Sequence, residues 1–265
     1  MDKASLGIGI FDSGVGGVTV LKELINLLPG ENFYYLGDTA HVPYGSKSKE
    51  ELLILGDAII RFFLKLGVKM VVFACNTSSA ITLPILKERY PVLMEGMLEP
   101  LRKNMPAKAK VGVLATEATV KSGLYQKKLM ETNKFQEVYM IACPQYVPLI
   151  EKGIVSGKEV EEATREYFEP LLKEEVRDVV LGCTHYPFLT ETIQKLYPKI
   201  QVIDPAAYVA REVYRKLKEN KLLGENGGKV QFYVTGDEKS LKNLGSLYLG
   251  YNIDRVQKID LEVIV

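Results

Sequence analysis

Two cysteines stand at the ends of two look-alike segments, Met70-Val-Val-Phe-Ala-Cys75-Asn-Thr77 and Asp178-Val-Val-Leu-Gly-Cys183-Thr-His185, 108 positions apart. Each segment is a short apolar run, then a small residue, a cysteine and hydrogen-bonding side chains, and each runs into a helix-like stretch. One thiol is enough for nucleophilic chemistry. A matched pair facing a shared cleft suits a reaction that must reach one atom from both sides. An inert core thiol is the ordinary state of a cysteine, and Cys143, in Ile141-Ala-Cys-Pro144, fits that description. Cys75 and Cys183 differ, because a strand end that opens a helix places amides and the helix dipole where they lower a thiol pKa. A zinc site built from Cys75, Cys183, His185 and His41 lacks closely spaced ligand pairs, so no metal is expected.

Two further motifs carry groups suited to binding. Ile8-Gly-Ile-Phe-Asp12-Ser13-Gly14-Val-Gly16-Gly17 reads as a strand, a glycine-rich turn and a helix start. Glycines admit close backbone approach and helix amides favour anions. A plain turn with Asp12 or Ser13 as N-cap meets the same pattern. Neither a Walker A loop nor a full dinucleotide fingerprint is present. Gly37-Asp38-Thr-Ala-His41-Val-Pro43-Tyr44-Gly45-Ser46 is a turn-rich loop whose Tyr44 could line a polar pocket, although proline and glycine also make ordinary loops. Glu151, in Val147-Pro-Leu-Ile-Glu-Lys-Gly153, reads by itself as a solvated carboxylate at a helix end.

The elements that must position these groups alternate. Short apolar runs at 6–11, 33–36, 70–74, 111–114, 138–141, 179–181, 202–203 and 230–234 read as strands. Helix-period segments at 18–28, 49–66, 79–89, 158–173 and 206–220 lie between them. This alternation predicts an α/β fold of mostly parallel sheets flanked by helices, with ligands beyond the carboxyl ends of the strands. Asp12, Cys75 and Cys183 all fall there. Boundaries are expected near 100–106 and at Asp204-Pro205, and the echo between the cysteine segments suggests two similar halves.

Composition sets the outer limits. The chain has 265 residues, 47% apolar and 25% charged, which suffices for one large or two moderate domains without disulfide or metal staples. Net charge is +1, from 34 basic and 33 acidic residues, so no overall field favours nucleic acid or an anionic membrane. The stretch 52–66 is interrupted by Asp57, Arg61 and Lys65 and reads as amphipathic rather than membrane-spanning. Three cysteines without a secretory signal imply reduced thiols and a cytoplasmic location.

Taken together, Phe11-Asp-Ser-Gly-Val-Gly-Gly17, Pro43-Tyr-Gly45, Ala74-Cys-Asn-Thr77 and Gly182-Cys-Thr-His-Tyr-Pro187 resemble the glutamate racemases, cofactor-independent Asp/Glu racemases of bacterial cell-wall synthesis. The likeness covers nearly the whole chain, with the motifs in family order. It implies two α/β domains with the active site in the cleft between them. The first would be discontinuous, 1–97 plus 208–265, enclosing a second at 98–207. The resemblance also implies Cys75 and Cys183 as catalytic bases, assisted by Asp12, Glu151 and His185. Substrate contacts map onto Asp12, Ser13, Tyr44, Gly45, Asn76, Thr77, Thr184 and His185. No cofactor is implied; glutamate is the implied substrate and a homodimer the implied assembly, supplying D-glutamate to peptidoglycan and hence to cell shape. Ser78, where the family usually has alanine, and Pro205, where serine is common, depart from the pattern. An aspartate-specific racemase, a Cys183/His185 hydrolase and a non-catalytic binder of small anions are the competing readings.

Overall fold

The computed structural model describes residues 3–225 and 227–261. Its strands are β1 (Gly7–Asp12), β2 (Phe33–Gly37), β3 (Val68–Phe73), β4 (Leu93–Gly96), β5 (Lys108–Ala115), β6 (Phe135–Ala142), β7 (Asp178–Gly182), β8 (Gln201–Ile203), β9 (Val230–Val234) and β10 (Val256–Lys258). They form two sheets, ordered β10-β9-β2-β1-β3-β4 and β6-β5-β7-β8, and every strand pair is parallel. The α/β architecture inferred from alternation is the one observed. β4 and β10 lie outside the expected runs, being four and three residues long at sheet edges, too short to show a period.

Every residue of β1 and β3 is buried, as expected of strands covered on both faces. On one face of the first sheet, the helix Lys49–Leu66 lays Leu52, Ile59, Ile60 and Phe63 against Phe11, Val71 and Phe73. Its start is fixed by a capping box, Ser48 Oγ accepting the Glu51 amide at 3.2 Å while Glu51 Oε2 accepts the Ser48 amide at 2.8 Å. Gly67, at φ +72°, ends it. The other face is covered by the helices Val18–Leu27 and Ala206–Glu219, the latter through Val209, Val213 and Leu217 at four-residue spacing.

On the second sheet, the helix Lys158–Lys173 packs Val160, Ala163, Phe168 and Leu171 against Val179 and Leu181. The helices Leu98–Asn104 and Leu124–Met130 close the opposite face over Val111, Val113 and Val180. The chain passes from the first sheet to the second through Leu98–Asn104, a helix that runs into the boundary expected near 100–106. It returns from β8 through Asp204 and Pro205 into Ala206–Glu219. The single helix expected over 79–89 is two, Asn76–Ile81 and Leu83–Arg89. Pro84 has no N–H to continue the first helix, and its ring would crowd the Ala80 carbonyl. No described helix is long and apolar enough to cross a membrane.

Candidate active site

Parallel strands gather their carboxyl ends on one side of each sheet, and the chemistry-bearing residues sit there. Asp12 ends β1, Asp38 follows β2, Cys75 lies two residues past β3, Thr116 follows β5 and Cys183 follows β7. Side chains from the two sheets interlock at this level. Thr184 Oγ1 donates to Asp12 Oδ2 at 2.9 Å, and the Gly14 amide donates to Asp12 Oδ1 at 3.0 Å, so a fully buried carboxylate has both oxygens engaged. Thr77 Oγ1 lies 2.9 Å from Thr116 Oγ1 and 3.3 Å from Thr119 Oγ1. Tyr125 OH donates to Asn76 Oδ1 at 3.0 Å. Asn76 Nδ2 is buried and, among the described residues, has no acceptor, leaving a donor available to a ligand.

The two thiols are nearly sealed from solvent, 4% exposed for Cys75 and 6% for Cys183. Cys75 caps the helix Asn76–Ile81 and its thiol donates to Ser13 Oγ at 3.8 Å. The expected lowering of its pKa is reversed. Burial first, and the charge of Asp12 second, push the thiol up to about 12, and the Ser78 amide offsets this only in part. A six-residue helix supplies too little field to outweigh desolvation. Cys183 does not open an α-helix: a turn and the 3₁₀ segment Tyr186–Leu189 come first, and the helix Thr190–Leu196 starts seven residues on. Its neighbour is His185, whose Nδ1 lies 3.8 Å from the sulfur.

His185 is held on its other side by Glu151, Nε2 to Oε1 at 2.6 Å. Burial by itself disfavours the imidazolium. The hydrogen bonds to Cys183 and Glu151, with their charges, prevail and hold His185 well above its usual 6.5. Burial likewise works against ionised Glu151. The His185 bond and charge, the Ser240 hydroxyl at 2.6 Å and the Val15 amide at 3.2 Å outweigh it and hold the carboxyl at about 2. Glu151 is therefore not the solvated helix-end carboxylate that its local sequence describes.

Tyr44 is buried and donates to Asp38 Oδ2 at 2.5 Å, while Asp38 Oδ1 accepts from Thr235 Oγ1 at 2.6 Å and lies 2.8 Å from His41 Nδ1. Burial and then Asp38 push the Tyr44 phenol well above 10.0, keeping it a neutral donor. The next residue, Gly45, abuts the second sheet, where a Cβ would meet Thr116 Cβ at 2.8 Å. Space, not backbone conformation, also explains the glycine-rich turn, since Gly14, Gly16 and Gly17 all lack positive φ. A Cβ on Gly16 would meet His185 Nδ1 at 2.5 Å and Thr184 Oγ1 at 2.7 Å, and one on Gly14 would collide with Glu151. The turn admits the other half of the molecule to close approach.

Asp38, Thr116, Thr119, Tyr125 and Ser240 reach the candidate residues without having been singled out by sequence. Asp38 carried a signal, since it lies in the same turn-rich loop as Tyr44; Ser240 carried none, because its partner is 89 residues away. Cys143, apart from this group, is buried among Tyr146, Tyr167 and Tyr186. Burial raises its pKa well above 9.0.

The sequence profile described as Asp/Glu/Hydantoin racemase matches residues 13–213. The chain is 38% identical over 266 aligned residues to a glutamate racemase of Desulforudis audaxviator, spanning 96% of this chain and 97% of the relative. It is 40% identical to glutamate racemase 2 of Caldanaerobacter subterraneus subsp. tengcongensis over the same shares of the two chains. The crystal structure of glutamate racemase from Francisella tularensis in complex with D-glutamate superposes with a TM-score of 0.91 at 33% identity, covering 98% of this chain and 99% of that one.

Proposed function

This chain belongs to the Asp/Glu/hydantoin racemase family, and on that premise we propose that it interconverts L- and D-glutamate without a cofactor, using Cys75 and Cys183 as acid and base on opposite faces of the α-carbon. The observation that carries this reading is the placement of two nearly sealed thiols at strand ends of two different sheets, close enough for the charge of one to bear on the other. Each also has its own ionisable neighbour, Asp12 for Cys75 and His185 for Cys183.

For L-glutamate, Cys183 takes the α-proton and Cys75 delivers its own to the opposite face; D-glutamate runs the reverse. The thiols exchange protonation states in each turnover, so atoms and charge balance. Cys75, pushed up to about 12, holds a proton and is set as the donor for the L to D direction. The α-proton is a far weaker acid than a thiol, so the carbanion-like state needs prearranged donors. Ser13, Asn76, Thr77 and Thr184 serve the α-carboxylate, Asp12 accepts from the ammonium, and the Tyr44–Gly45 turn receives the side-chain carboxylate. Asp12, His185 and Glu151 set the protonation of the neighbouring thiols. We place the domain limits at 1–97 plus 208–265 and at 98–207, supported by the membership of the two sheets. The product D-glutamate serves peptidoglycan synthesis in the cytoplasm, and the working form is a homodimer.

The test is polarimetry of the purified protein with L-glutamate, without added pyridoxal phosphate or metal, followed by the same reaction in deuterated water. The expected result is loss of optical rotation, with deuterium in early product and protium kept in unreacted substrate. Deuterium appearing at equal rates in both pools would replace the two-base reading by a single base.

A further inference from the structure

A cavity of about 560 Å³ opens where the turn Tyr44–Ser46 meets the helix Glu117–Lys121. Gly45, assigned above to the side-chain carboxylate, forms part of its wall, and the wall continues to Ile81 at the far end of the helix that Cys75 caps. The charged residues lining it are Lys47, Lys49, Lys121 and Glu117, three cations against one carboxylate. Lys47 and Lys49 come from the segment beside the first sheet, and Lys121 from the helix that follows β5 of the second. Among the described residues none of the three lysines forms an ion pair, although the charge of Lys47 is felt by Glu51.

Lys49 is also on the wrong end of its helix. It is the first residue of an eighteen-residue helix, where the dipole opposes a cation and favours the acids that follow at Glu50 and Glu51. Lys47 is held to the substrate turn, its amide donating to the Tyr44 carbonyl at 3.2 Å. Lys49 and Lys121 are exposed and Lys47 half-buried, and unpaired cations gathered around one concavity raise the local concentration of anions there.

We propose that this lysine-lined cavity is the electrostatic capture site for the side-chain carboxylate of incoming glutamate, and that Lys47, Lys49 and Lys121 favour an anionic side chain over a neutral one. The inference rests on the glutamate reading above and adds to it the residues that recognise the distal charge. Gly45 belongs both to the cavity wall and to the proposed carboxylate contact, so the lysines act on the substrate as it arrives.

The test compares the wild-type protein with K47Q/K49Q/K121Q and K47R/K49R/K121R, measuring racemisation of glutamate at low ionic strength and at 1 M salt. In the glutamine variant, kcat/KM at low salt is expected to fall about 10-fold through KM, with kcat unchanged. The gap should close at 1 M salt, where the screening length shrinks to about 3 Å. The arginine variant should match the wild type at both salt levels. A glutamine variant that keeps the wild-type kcat/KM and salt dependence overturns the proposal, as does one that loses kcat as severely as kcat/KM. Absence of glutamate turnover in the wild-type protein overturns instead the functional reading on which the proposal rests.

Discussion

Glu151 Oε1 stands 2.6 Å from His185 Nε2 and accepts the Val15 amide at 3.2 Å, so one carboxylate oxygen ties the imidazole beside Cys183 to the turn that follows β1. Its other oxygen accepts from Ser240. Three such donors favour the ionised form of this partly buried carboxylate, and the carboxylate favours the protonated form of the imidazole against it. The unit fixes both the orientation of His185 and the charge it presents to Cys183.

Glu151→Gln should therefore lower kcat/KM by about 100-fold, the low end of what a positioned acid or base contributes, because Glu151 acts through His185. The equilibrium constant between enantiomers is one, so the loss must be equal in both directions. Removing the carboxylate removes a cause of the raised His185 pKa, so any limb of the pH–rate profile that reports His185 moves to lower pH. Steady-state rates between pH 5 and 10 check both points; an unmoved profile would reduce Glu151 to a packing role.

Cys75→Ala and Cys183→Ala should each cut racemisation by roughly 1,000-fold or more in both directions, since each removes a proton carrier for which no neighbour substitutes. Both thiols are buried but small, so the variants should unfold at urea concentrations close to wild type. A variant retaining the parental rate ends the two-base assignment.

Gly16→Ala tests whether the glycine turn serves close approach. The added methyl would lie 2.5 Å from His185 Nδ1 and 2.8 Å from its backbone nitrogen. Overpacking of this kind costs about 1–3 kcal/mol, and displacing His185 by about 1 Å should cost roughly 100-fold in rate. Thermal unfolding and kcat measured together separate the two effects.

Alternating short apolar and helical stretches made the parallel sheets legible, and strand-end positions marked Asp12, Cys75 and Cys183. What stayed hidden was long-range or quantitative. Glu151 looks like any surface carboxylate in its own segment, because its partners are 136, 34 and 89 positions away. A helix N-terminus suggested a lowered Cys75 pKa, but the sign depended on how deeply the fold would bury that thiol. The matched look of the two cysteine segments ends at the cysteines, one capping an α-helix and the other entering a 3₁₀ turn.

Asp204, on the return path from the second sheet to the first, has its carboxyl raised from 3.8 to about 6, chiefly by burial and further by Glu23, against the Ala206 amide that donates to it at 2.9 Å. A raised folded-state pKa means that its contribution to stability is fully present below 3.8 and is lost as pH climbs through 6. Asp204→Asn keeps an acceptor for the amide and cannot ionise. With allowance for partial solvent screening, the variant should be about 1–2 kcal/mol more stable than wild type at pH 8. At pH 4 the two should be nearly equal. Urea titrations at the two pH values decide it, and a constant difference would assign the effect to something other than ionisation.

The order of strands has a consequence for how the chain is made. β5 to β8 come from one continuous stretch, 108–203, whereas β2 waits for β9, nearly two hundred residues later. As the polypeptide leaves the ribosome, the four-stranded sheet has all its strands while the six-stranded one still shows the bare edge of Phe33–Gly37. An unpaired hydrophobic edge invites pairing with another chain. Release before Val230 would leave that edge permanently open, so the sheet is closed on this side only when its last strands are made.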